Sequence, residues 1–155
     1  MTEPAKSDGN NVHELIAFRL GNQEFCVDVM SIREIRGWTP ATPLPATPSF
    51  MRGVINLRGT VLPIIDLAAR LGFASAEPTA RHAIIVTQIG NQVVGLLVEG
   101  VSDIFTVAED KIQPTPDIAS DSAKRFVRGV IPLGDRLVSV IAIDSVLPPS
   151  EAQAA

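Results

Sequence analysis

The sequence repeats itself, and the repeat limits what the chain can fold into more than any other feature. Gly21-Asn22-Gln23 returns as Gly90-Asn91-Gln92, a shift of 69, in both places between two apolar runs. Arg52-Gly53-Val54-Ile55 returns as Arg128-Gly129-Val130-Ile131, a shift of 76, with Phe50 and Phe126 just ahead of the arginines. Asp66, which follows an apolar run, is matched by Asp144 at a shift of 78. Hairpin turns favour Gly and Asn and supply one such match by chance. Three matches in the same order point to a duplication. Each copy then holds about half of the 155 residues, and a core that small supplies only a few kcal/mol. Two such units have to pack on each other and leave a cleft between them.

The local pattern is that of an all-β fold, because 12 prolines and 11 glycines fall between short apolar runs. Ile16, Phe18 and Leu20 alternate with Ala17 and Arg19, and Phe25, Val27 and Val29 alternate with Glu24, Cys26 and Asp28, so the second run reads as a strand with one wet face. Gly21-Asn22 between them predicts a hairpin from about Ile16 to Val29. Ile32 to Ile35 reads as a further strand, and the prolines from 39 to 48 exclude a helix there. Val54 to Leu57 and Val61 to Ile65 form a second hairpin around Arg58-Gly59. One short helix follows, with Asp66 as its cap and Gly72 as its left-handed exit. Residues 73–80 read as a linker. The expected architecture is all-β with short helices, two five-stranded units of about 13–80 and 81–148 related by the repeat, with strand exchange between them left open. Residues 1–12 and 149–155 are expected to be flexible tails.

Composition removes several classes of function. The hydrophobic fraction is 46% and the net charge −4, which excludes disorder for most of the chain. A lone cysteine, Cys26, forms no intramolecular disulfide, and with His13 and His82 it gives no close metal-ligand cluster. His13 and His82 are related by the same shift as the two Gly-Asn turns, so they read as equivalent strand-entry positions in different units and not as one metal or acid–base site. The scattered basic residues and the absence of tyrosine do not suit nucleic-acid binding. The apolar runs fall well short of the roughly 20 residues of a membrane helix, and the polar N-terminus lacks the apolar stretch of a secretory signal. A cytoplasmic protein without membrane insertion is expected.

Catalytic motifs are missing. No G-x-S-x-G elbow and no phosphate-binding Gly-rich loop occurs, and Glu24 and Asp28 beside Cys26 raise a thiol pKa where a nucleophile needs it lowered. Asp66, Glu99, Asp103 and Asp144 are the carboxylates that could converge, and the cap reading of Asp66 and Asp144 accounts for two of them. No cofactor is called for, and an interaction module is the better reading. Glu34 in Ile32-Arg33-Glu34-Ile35 and Arg58 in Leu57-Arg58-Gly59 interrupt apolar stretches. They read either as an edge-strand glutamate that blunts aggregation and an ordinary turn arginine, or as residues that face a cleft or a partner. The second unit has Leu133-Gly134-Asp135 at the same turn, so the fold does not demand the arginine.

Val27-Asp28-Val29 with Ile32-x-Glu34-Ile35, the Pro-rich loop, Gly53-Val54-Ile55-Asn56-Leu57-Arg58-Gly59, Pro63-Ile64-Ile65-Asp66-Leu67 and Gly95-x-x-Val98-x-x-Val101 together resemble the CheW family of bacterial chemotaxis coupling proteins, over about Leu15 to Leu147. The resemblance implies two SH3-like five-stranded β-barrels, in agreement with the repeat. It implies a non-enzymatic adaptor that links the cytoplasmic tips of chemoreceptors to the regulatory domain of a CheA-type histidine kinase in a membrane-associated array. The alternative is a CheW-like regulatory domain of a larger kinase or hybrid protein. Carried over by position, Glu34 and Arg58 belong to surfaces needed for assembly. Ile32, Val98 and Val101 line the groove where a receptor helical hairpin docks, and Phe50, Arg52 and Gly53 serve kinase binding or assembly. Glu99 departs from the family's pattern, in which Asp is common at that position, and Ala83 and Ser102 are too generic to carry specificity.

Overall fold

The computed structural model describes residues 12–74, 77–116 and 125–147. The expected tails, apart from Val12, and part of the expected linker lie outside these residues. The strands are β1 (Val12–Leu20), β2 (Gln23–Asp28), β3 (Ile32–Gly37), β4 (Met51–Leu57), β5 (Thr60–Asp66), β6 (Ala83–Ile89), β7 (Gln92–Val98), β8 (Val101–Ala108), β9 (Val127–Leu133) and β10 (Arg136–Ile141). Both predicted hairpins are present, β1–β2 around Gly21-Asn22 and β4–β5 around Arg58-Gly59. The short helix α1 (Leu67–Arg70) also forms as expected: Asp66 Oδ1 accepts from Ala69 N at 3.2 Å, and Gly72 leaves at φ 93°.

The strands form two five-stranded sheets, ordered β8-β1-β2-β10-β9 and β3-β6-β7-β5-β4. The repeat carries β1 and β2 onto β6 and β7, and β4 and β5 onto β9 and β10, so the two orders are the same order. Neither sheet is made from one half of the chain. The N-terminal hairpin of each repeat pairs with the last three strands of the other, through the antiparallel contacts β1–β8 and β3–β6 and the parallel contacts β2–β10 and β5–β7. Among the described residues the end strands of a sheet do not pair with each other. Each sheet is instead curled by a bridge from the chain after β3 or β8 onto the far edge, Thr42 to Val54 and Gln113 to Val130.

The expectation of one wet face on β2 does not hold. Phe25 and Val27 pack in the core between the sheets with Phe18, Leu20, Ile85, Val94, Leu96 and Val98. Cys26, on the opposite face, packs with Leu15, Ala17, Ile131, Val138 and Val140 inside its own curled sheet. The second sheet has the matching internal core of Ile55, Leu62, Ile64, Ile84, Val86 and Leu97. Central strands are therefore buried on both faces, and each fully buried large side chain contributes about 1.5–3 kcal/mol. Two polar residues interrupt this core: Asp66, the cap of α1, and Thr87, whose hydroxyl donates to Ser31 O.

The pairing of Asp66 with Asp144 needs correction. Asp66 N donates to Phe50 O at 2.7 Å, and Ala142 N donates to Phe126 O at 2.7 Å, so the counterpart of Asp66 is Ala142. Ala142 caps the 3-10 turn Ile143–Ser145 with no side-chain bond, and Asp144 lies inside that turn.

Candidate docking site

Glu34 and Arg58 meet. Glu34 is on β3, one end strand of the second sheet, and Arg58 is at the tip of the hairpin that contains β4, the other end strand. Arg58 Nη2 donates to Glu34 Oε1 at 2.6 Å, and Arg36 Nη1 donates to Glu34 Oε2 at 3.3 Å. The ion pair spans the side of the curled sheet that backbone pairing leaves open. The guanidinium of Arg58, and after it that of Arg36, holds the Glu34 carboxyl below the usual carboxylate range. The Arg58 side chain remains 68% exposed, so its fork of donors stays within reach of a partner.

The backbone under Arg58 is also telling. Arg58 has φ 51° and Gly59 φ 86°, both left-handed, as a two-residue primed turn requires. A non-glycine residue costs about 1–2 kcal/mol in that region. The matching position in the other repeat is Gly134 at φ 59°, where that cost is absent. Arginine is held where glycine fits better, so the backbone at residue 58 carries a strain that its repeat counterpart does not.

The apolar candidates lie at different depths. Ile32 opens β3 opposite Thr87, and Val101 opens β8 opposite Phe18, which is the same place in the repeat. Ile32 is half-buried against the core between the sheets, and Val101 is 39% exposed. Val98, at 1% exposure, belongs to that core and supports the surface from beneath. Sequence reasoning passed over Ile35 and Ile104, exposed at 41% and 57%. A bulge puts Arg33 out of register, so Ile32 and Ile35 share a face despite a spacing of three. Ser102 is the equivalent bulge before Ile104. The spacing of three in Ile32-x-x-Ile35, against a strand period of two, is the signal that would have shown it.

Phe50, Arg52 and Gly53 form the junction between β4 and α1. The Arg70 guanidinium carbon lies 4.7 Å from the Phe50 ring centre and 4.8 Å from that of Phe126, so the two repeat-equivalent rings share one cation. Burial, and then the charge of Arg125, lowers the pKa of Arg70. Arg70 also donates to Val146 O at 2.5 Å. Arg52 Nε is 3.4 Å from Asp66 Oδ2, which ties the bulge of β4 to the cap of α1. Gly53 has φ 141°, and a Cβ there would collide with Thr42 O. A side chain at residue 53 would therefore force the loop after β3 off β4.

The remaining singled-out residues have structural partners. Burial pushes the Cys26 thiol up to about 12, which leaves it unreactive at neutral pH. His13 is near the start of β1 and His82 directly precedes β6, in different sheets. Glu99 Oε2 accepts from Gly21 N at 3.0 Å, and Ser102 Oγ donates to Glu24 Oε2 at 2.9 Å. Among the described residues no helix is long and apolar enough to cross a membrane.

Comparison with known proteins accords with this geometry. Residues 14–151 match the family model described as CheW-like domain. The chain is 59% identical over its full length, and over the full length of the relative, to the "Chemotaxis protein CheW" of Rhizobium meliloti. It is 36% identical over 138 residues to the "Chemotaxis protein CheW" of Klebsiella aerogenes, covering 89% of this chain and 83% of that one. The crystal structure of the scaffolding protein TtCheW from Thermoanaerobacter tengcongensis superposes with a TM-score of 0.82 at 28% identity, over 89% of this chain and 94% of the other. A duplicated pair of curled five-stranded sheets, a family match over nearly the whole described chain and a relative 59% identical over its full length lead to one conclusion: the chain belongs to the CheW-like family of chemotaxis scaffold proteins.

Proposed function

We propose that the protein is a non-enzymatic adaptor that couples the cytoplasmic tips of chemoreceptors to the regulatory domain of a CheA-type histidine kinase, acting in the cytoplasm at membrane-associated receptor arrays. The observation that carries this reading is Arg58, kept in a strained backbone conformation, exposed, and aimed across the open side of its sheet at Glu34. Apolar Ile32, Ile35, Val101 and Ile104 supply contact area for a helical hairpin, and the Glu34–Arg58 pair fixes its orientation. The kinase domain docks near Phe50, Arg52 and Gly53, where the Phe50 and Phe126 rings share the Arg70 cation. The family's fold and the names of the relatives support this assignment.

The test is reconstitution. Receptor-containing membranes and kinase are sedimented with and without the protein, and the adaptor role predicts that pelleted kinase rises with added protein until the receptors saturate. Kinase that pellets to the same extent without it contradicts the role.

A further inference from the structure

His13 stands between carboxylates from two different turns. Its Nδ1 lies 3.1 Å from Asp28 Oδ2, and its Nε2 meets Glu109 Oε1. Asp28 closes β2, and its other oxygen accepts from Met30 N at 2.8 Å, capping the 3-10 turn Val29–Ser31 that leads into β3. Glu109 opens the 3-10 turn Glu109–Lys111 that follows β8. One ring thus joins the turn before β3 to the turn after β8, the two strands that carry Ile32, Glu34 and Val101.

A neutral imidazole has one N–H and one lone pair, so it serves only one of two carboxylates and faces the other with its lone pair. An imidazolium donates to both. We propose that His13 is a proton-controlled clasp, closed on both turns when doubly protonated and released from Glu109 when it loses a proton. Glu109 is the arm that lets go, because its side chain is 47% exposed and rehydrates readily, whereas Asp28 is 27% exposed and already committed to capping. The charged residues on the surrounding elements are Glu14 and Arg19 on β1, Glu24 and Asp28 on β2, Asp103 on β8, and Glu109, Asp110 and Lys111 of the turn after β8. Of these, Asp28 and Glu109 bond the ring.

The repeat provides an internal control. His82, the equivalent residue, accepts the Thr79 backbone N–H at 3.0 Å on its Nδ1, so the fold at this position does not require a carboxylate pair. The bonds to Glu109, and next to Asp28, raise the His13 pKa above its ordinary 6.5. A raised folded-state value means that the clasp is fully closed below the unfolded value and opens as pH climbs through the folded one.

The experiment is a pH titration of the intact protein by NMR, following the His13 ring protons together with amide exchange at Met30 and Ile112. Ile112 N donates to Glu109 O at 3.1 Å and reports the turn that is released. The expected result is that the ring protons titrate above about 6.5, Ile112 exchange accelerates about tenfold beyond its intrinsic pH dependence, and Met30 stays protected. His13→Gln should make Ile112 exchange fast at every pH. A ring that titrates at or below about 6.5, or Ile112 protection unchanged through the wild-type titration, overturns the proposal.

Discussion

Arg58 donates to Glu34 at 2.6 Å although the two residues come from opposite ends of one five-stranded sheet. A side-chain pair does what backbone pairing would do in a closed barrel, and an exposed pair does it weakly. Strain at the Arg58 backbone offsets that contribution. Arg58→Gly removes the strain together with the pair, so stability should stay within about 1 kcal/mol of wild type, or rise, while docking weakens. Urea unfolding beside a binding measurement separates the two effects. A large stability loss with docking intact would assign Arg58 to the fold.

The same pair predicts a pH signature. Glu34 has a depressed folded-state pKa, so its contribution is present above the unfolded value near 4.5 and is lost as pH falls through the folded value. Unfolding curves for wild type and Glu34→Gln should differ at about pH 6–7 in the direction of a more stable wild type, and converge once the pH has fallen below the depressed folded-state value. A difference that persists at low pH would mean that Glu34 acts by something other than its charge.

Much of this was readable in the residues, for reasons that show where reading stops. Gly-Asn turns, the Asp66 cap and the period of two are local, and each sets structure within a few residues. The repeat was visible because equivalent positions face equivalent surroundings. Cys26 and Gly95 occupy the same place inside the two sheets, one filled by its own thiol, the other by Ile64 and Ile84, which reach within 2.8 Å of where a Cβ would stand. The exchange of strands depends on which sheet β3 and β8 join, and no local pattern encodes that choice. Burial on both faces also hid the alternation at Cys26, since a residue on a curled sheet's inner face looks polar only by comparison with Phe25 and Val27. Glu34 and Arg58 were each singled out, but their contact spans the sheet and spacing does not reveal it.

The exchange itself is testable. Chains ending at Ala74 and beginning after it each lack the partner strands of their own hairpin or edge, so neither half should fold alone. Mixed in equal amounts they should assemble, with circular dichroism recovering the native β signal. A half that unfolds cooperatively alone would show that one repeat suffices as a unit.

Gly53 and its counterpart Gly129 should both be intolerant of a side chain. A Cβ at these positions would lie 2.3 Å from Thr42 O and 2.7 Å from Gln113 O, backbone atoms that move only with their loops. Gly53→Ala adds positive-φ strain and should cost about 3 kcal/mol or more, measured by urea denaturation. Gly21→Ala, with open space around its Cβ, should cost about 1–2 kcal/mol.

Cys26 should react with thiol reagents only through global unfolding, because burial lifts its pKa to about 12. Labelling rates should follow the unfolding equilibrium as urea is raised. Rapid labelling of the native protein would contradict its placement in the core.

The proposed adaptor role makes Arg58 the charge on which docking should depend most, and co-sedimentation with receptor-containing membranes and kinase tests it directly. Arg58→Asp, shown to be folded by its unfolding curve, should lose association with both partners. If it pellets with receptors and kinase as wild type does, Arg58 does not carry the docking, and the site assignment fails.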